Sequence, residues 1–332
     1  MKRTLPHWPV LGLAAAASVL LALAVGSVSV APSDFVATLF GNGNPAAHEV
    51  VWQLRAPRAI AGFAVGAGLA LAGALLQGLL RNPLADPYVL GVSGGAAVGA
   101  LGAIALGLPT GMVQVGAALG AVATLGLLFA LARRALFRRD AVDSEQATTG
   151  VLLTGVMIAS FAAALLSLAL SLAPDSRLRT MVFWLLGDLA GATDVRSALI
   201  ALAVTAIAFA LAIRHAAALN LLVRGDLLAF TQGVRVVRTR RVLVIVAAVA
   251  TGAAVTLAGA VGFVGFVAPH VMRLVFGNDQ RVLLPASTVA GGTLVVLADT
   301  VARSAFAPLQ LPVGVLTALI GVPVFLWLLA RR

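Results

Sequence analysis

The chain has 332 residues, 61% of them hydrophobic and 11% charged, with a formal net charge of +11 and no cysteine. A mean hydropathy of +1.05 excludes a water-soluble globule and marks a polytopic membrane protein. The missing cysteines exclude disulfides, thiolate metal sites and thiol catalysis.

A helix needs roughly 20 apolar residues to cross a hydrocarbon core of about 30 Å. Windows of this kind place ten predicted spans, at 10–31, 59–80, 88–107, 111–132, 149–173, 195–213, 242–261, 262–276, 282–302 and 311–330, in a single transmembrane domain over 1–332. The first follows Met1-Lys2-Arg3, and its apolar run exceeds the roughly 7–15 residues of a signal-peptide core, so it reads as a retained span. Between the second and third, Arg81 ends one helix with a cation, Pro83 and Pro87 prevent fusion, and Asp86 is placed to cap the next helix. Gly62 with Gly66, and Gly91 with Gly95 and Gly99, form small-residue seams that permit close helix packing. Leu108-Pro109-Thr110-Gly111 then divides a long uncharged run into a hairpin.

In the fifth span Ser160, Ala164, Ser167 and Ser171 recur at helical spacing, a weakly polar stripe that either packs on a neighbour or lines a pathway. The segment 174–194 carries Arg177 and Arg179, which either meet an anion or anchor at the interface as Trp184 does. The segment 216–241 is too charged to cross. The eighth span is short and carries Pro269, His270 and Arg273, yet charge asymmetry supports it. With ten spans and both termini cytoplasmic, 17 of the 23 basic residues lie inside, together with six of the 12 acidic ones. The inner face then carries the whole excess of +11, as the positive-inside rule favours, and no nucleic acid is needed to explain it.

Within the spans ionisable residues are scarce. Only Asp188, His270, Arg273 and Asp299 lie close to an apolar segment, which argues against ion-coupled transport. Lys2 is the only lysine, so the chain holds no GxxxxGK[ST] phosphate loop, and any ATPase must be a separate subunit. Four scattered histidines form no evident metal site. Nothing resembles a hydrolytic constellation, so the chain reads as a non-enzyme.

Four ordered blocks then carry a resemblance: RAPRAIAGFAVGAGLALAGALLQGLLRNPLADPYVLGVSGGAA (55–97), LRTMVFWLLGDLAGA (178–192), GAVGFVGFVAPHVMRL (259–274) and ADTVARSAFAPLQLPVGVLTALIGVPVFLWLL (298–329). They resemble the permease subunits of binding-protein-dependent ABC importers for iron–siderophores, haem and cobalamin. The resemblance implies an all-α, ten-helix permease of the type II importer fold in a bacterial inner membrane. It implies a homodimer around a central pathway, two copies of a cytoplasmic ATP-binding subunit and a periplasmic solute-binding protein. ATP is then bound by the partner, and this chain carries no cofactor or metal.

Carried onto this sequence, the resemblance implies a cytoplasmic gate at Asn82, Pro83, Leu84, Thr148 and Thr149. Binding-protein docking falls on Arg55, Arg58 and Arg303, expected as exposed arginines. ATPase coupling falls on Gly225, Asp226, Ala229, Phe230 and Gly233 within 216–241, where Leu227, Leu228 and Phe230 suit an interface better than a solvated loop. The stripe Ser160, Ala164, Ser167 and Ser171 is the candidate pathway lining, and Arg177 and Arg179 stand at the periplasmic mouth. Haem is the favoured solute, because arginines at the mouth attract propionates. A ferric siderophore or cobalamin is the alternative within the family. A secondary transporter or channel working without an ATPase is the alternative from another class.

Overall fold

The computed structural model describes residues 7–131, 144–192 and 194–330. The described residues are helical throughout, without strands. The first helices are α1 (His7–Ala24), α2 (Pro32–Leu39), α3 (Pro45–His48), then a π-helical turn at Glu49–Arg55 that runs into α4 (Ala56–Leu79). A 3₁₀ turn at Pro87–Leu90 precedes α5 (Val92–Ala105), α6 (Thr110–Leu131) and α7 (Ser144–Ser171). There follow α8 (Asp175–Leu185), α9 (Val195–Arg214), α10 (Ala216–Arg224), α11 (Asp226–Thr231) and α12 (Val236–Ala258). The chain closes with α13 (Val264–Phe276), α14 (Gln280–Ser304) and α15 (Val313–Ala330).

Each of the ten predicted spans corresponds to a helix. Six are long and apolar enough to cross a membrane, and Trp8–Ala24, Val92–Ala105, Val264–Phe276 and Val313–Val324 are shorter apolar helices. The protein is a multi-pass membrane protein whose ladder of backbone hydrogen bonds is closed within each helix, as hydrocarbon requires.

The core is built around α4, which packs against α14, α12, α9 and α13. Its span is 89% buried, whereas that of α7 is 17% buried. A helix apolar on every side belongs inside, and glycines let its neighbours come close. A Cβ on Gly73 would lie 1.7 Å from the Gly265 carbonyl oxygen, and one on Gly66 would lie 2.1 Å from that of Gly291. The Gly95 and Gly99 seam packs α5 on α6 inside this one chain, with a Cβ on Gly99 falling 2.0 Å from the Gly116 carbonyl oxygen.

Three boundaries differ from expectation, each for a local reason. The first span stops at Ala24 instead of 31, because buried guanidiniums close its last turn. The third begins at Val92: Asp86 accepts from the Tyr88 amide, so its cap serves the 3₁₀ turn, and Gly91 at φ +76° redirects the chain. The eighth is only 13 residues, about 20 Å of helix. The chain runs from Gly259 to Phe263 as buried to half-buried irregular backbone, with both of those residues at positive φ. Tyr88 Oη donates to the Val261 carbonyl at 2.7 Å, satisfying a group that lipid would leave unpaired.

Candidate functional site

At one end of the bundle the turn after α4 meets α10 and α11. Arg81 adopts φ +49°, and Asn82 Oδ1 accepts from the Leu84 amide at 2.9 Å, folding Asn82, Pro83 and Leu84 into a compact turn. Asn82 and Leu84 are exposed and Pro83 is half-buried. Thr148 and Thr149 lie in the second turn of α7, and their side chains fall outside the described residues.

Beside this turn, α11 is bracketed by two glycines in the positive-φ region, Gly225 at +141° and Gly233 at +80°. Nothing lies within 4 Å of a Cβ at either, so backbone conformation alone demands glycine there. Asp226 and Ala229 turn inward and are buried, while Leu227, Leu228 and Phe230 face out. Within the chain Asp226 and Ala229 shape the helix, and its apolar face is what is presented. Three exposed apolar side chains on a six-residue helix are unfavourable in water and suit a protein interface.

Sequence reading missed the bonds that hold α10 and α11. Arg81 Nε donates to the Leu222 carbonyl at 3.0 Å and its Nη2 donates to Asp226 Oδ1, which also accepts from Arg240 Nη2 at 2.8 Å. Asn220 Nδ2 donates to Asp279 Oδ1 at 2.7 Å, and its Oδ1 accepts from the Gln280 amide. The Asn220 amide, with the backbone of Arg281, holds the Asp279 carboxyl below the usual carboxylate range. The only sequence trace of these contacts was Asp226 inside its motif.

At the opposite end the three arginines expected to be exposed are buried. Arg55 Nη1 donates to the Leu23 and Ala24 carbonyls at 2.7 and 2.8 Å, and Arg303 Nη2 donates to the Ala22 carbonyl. Both close the C-terminus of α1, where the last carbonyls have no helical partner. Arg58 grips Asp299 through Nε and Nη2 at 2.8–3.0 Å and donates to Gln310 through Nη1. The physical reason for the correction is that these guanidiniums are already engaged within the chain.

The mouth residues are likewise engaged. Arg177, on α8, donates to the Ala105 carbonyl at the end of α5, and Arg179 lies 5.3 Å from the centre of the Phe183 ring. A 350 Å³ cavity beneath them is lined by Arg177, Thr180, Trp184 and Asp188. Burial raises the Asp188 carboxyl above its usual range, against the hydrogen bond from the Ala190 amide.

The stripe on α7 faces away from the chain's own core: Ser160, Ala164, Ser167 and Ser171 are all exposed. The serine hydroxyls donate to the carbonyls four residues back, at 2.8–3.0 Å, so their donors are spent on their own helix. The opposite face of α7, with Gly155, Ile158 and Ala162, packs on the 3₁₀ turn and α5.

This architecture is shared with known proteins. The chain is 43% identical over 291 residues to the cobalamin import system permease protein of Halobacterium salinarum, covering 86% of this chain and 74% of that one. It is 38% identical over 317 residues to the vitamin B12 import system permease protein of Shigella sonnei, covering 95% and 91%. A solved metal-chelate type ABC transporter in an inward-facing conformation superposes with a TM-score of 0.81 at 29% identity, over 97% of both chains. The sequence pattern of the FecCD transport family matches residues 14–331. The chain therefore belongs to the FecCD transport family, as the membrane-spanning permease subunit of an ABC importer whose ATPase is a separate subunit.

Proposed function

We propose that this permease imports cobalamin or a closely related corrinoid, delivered by a periplasmic binding protein and driven by a pair of cytoplasmic ATP-binding subunits. The observation that carries the solute is the extent of identity to two cobalamin permeases. It replaces the expectation of haem, which rested on free arginines at the mouth. Arg177 donates to the Ala105 carbonyl and Arg179 lies against the Phe183 ring, contacts that hold both guanidiniums on their own chain.

In this reading two copies of the chain face each other across the exposed stripe of α7. Ser160, Ala164, Ser167 and Ser171 line the pathway between them, and Asn82, Pro83 and Leu84 with Thr148 and Thr149 close its cytoplasmic end. Leu227, Leu228 and Phe230 seat in the ATPase. The binding protein docks over the surface that Arg55, Arg58 and Arg303 hold in shape, without those guanidiniums reaching it directly. Both termini are cytoplasmic in this arrangement. Each partner drives transport by binding inward and outward states with different affinity.

The test is ATP hydrolysis and uptake by the reconstituted complex in proteoliposomes, with binding protein loaded with cyanocobalamin, haem or ferrichrome. Stimulation by the cyanocobalamin-loaded protein is expected. Stimulation by haem or ferrichrome alone would overturn the solute, and uptake without the ATPase would favour a secondary transporter.

A further inference from the structure

Three segments converge on one carboxylate. Arg81 is the residue immediately before the turn Asn82–Leu84, Asp226 opens α11, and Arg240 lies at the start of the second turn of α12. Arg81 and Arg240 both bond Asp226 Oδ1. Arg81 also holds the Leu222 carbonyl, in the last turn of α10, through Nε at 3.0 Å. Its backbone is at φ +49°, a region that non-glycine residues enter uncommonly, and its guanidinium reaches α10 and α11.

We propose that Arg81 is a positioning residue that ties the gate turn to α11, so that displacement of α11 by the ATPase is transmitted to Asn82 and Leu84. The inference rests on the reading of this end as the ATPase-facing, gated end. A guanidinium suits the task because its fixed fork engages two acceptors at once, one on each side of Gly225; an ammonium is a single point donor on a flexible stem. The tie therefore resists swivelling of α11 about the glycine as well as separation from it. Asp226 is nearly buried and retains Arg240 when Arg81 is removed, whereas the Arg81 side chain is 40% exposed. With Arg240 still bonded to Asp226, removing the half-exposed Arg81 leaves no unpaired buried carboxylate. Loss of Arg81 is thus expected to spare the fold and the α11 surface while disconnecting the turn.

The chain has no native cysteine, so a spin label at Leu84→Cys reports on the turn alone. In nanodiscs with the partner ATPase, the labelled protein is expected to change mobility when ATP is added. With Arg81→Gln, ATPase binding and basal hydrolysis are expected to persist, while cyanocobalamin transported per ATP, measured without the label, falls by roughly fivefold or more. The ATP-dependent label change should shrink in parallel. Arg81→Lys should restore part of both, because the ammonium still reaches one of the two acceptors. An undiminished label response in Arg81→Gln, or loss of ATPase binding in that variant, overturns the tie. If the labelled protein with native Arg81 shows no ATP-dependent change, what fails is the reading of this end as the gated end.

Discussion

Among the described residues, four arginines close helices. Arg55 and Arg303 supply donors to the last turn of α1, Arg177 to that of α5 and Arg81 to that of α10. Each meets carbonyls that the helix itself leaves unpaired, at the pole where a cation is favoured. Asp299 is the carboxylate on which this depends at one end: it is buried between Arg58, at 2.8 Å, and Arg303, at 3.6 Å. Replacing it by alanine strands two buried cations. Asp299→Ala is therefore expected to lose about 3–5 kcal/mol of stability, read as a lowered unfolding midpoint in detergent, with Asp299→Asn intermediate. An unchanged midpoint would mean that the arginines find other partners. None of this was legible in the sequence. An arginine beside an apolar run reads as an exposed anchor, and the acceptors of Arg55 and Arg303 are carbonyls up to 281 residues away.

Among the elements, α4 and α13 show what composition reveals and what it hides. The spans were legible because hydrocarbon permits few alternatives to an apolar helix. The turn at Asp86 and Pro87 was legible because a capping carboxylate and a proline each have one local use there. The irregular passage at Gly259–Phe263 was not, since its support comes from Tyr88 and from the face of α4. Gly73 tests that support. A methyl group there collides with the Gly265 backbone, which has no side chain to yield. Gly73→Ala is expected to separate α4 from α13, lowering thermal stability and transport together, whereas Gly102→Ala, with nothing within 4 Å, should leave both unchanged. Equal tolerance of the two substitutions would show that the helices pack more loosely than their backbones indicate.

For the molecule as a whole, the exposed turn at Leu84 and the exposed Phe306 lie at opposite ends of the bundle. In intact cells an impermeant maleimide is expected to label Phe306→Cys and to spare Leu84→Cys, with the pattern reversed in inside-out vesicles. The reverse result would invert the orientation read from charge. The family resemblance was legible because four motif blocks run in order along most of the chain. The solute was not, because among the described residues neither the arginines of α8 nor the serines of α7 carry a group particular to one cargo.

That silence has a consequence in the hydroxyls of α7. Ser160, Ser167 and Ser171 each donate to their own helix, so the surface they share presents no free hydroxyl donor. In the proposed pathway, a wall of this kind has no donor preference to lose when cargo changes. In the proposed assembly, selection on this chain preserves its mechanics and a change of nutrient is written in the delivery protein, leaving the permease as an interchangeable engine part.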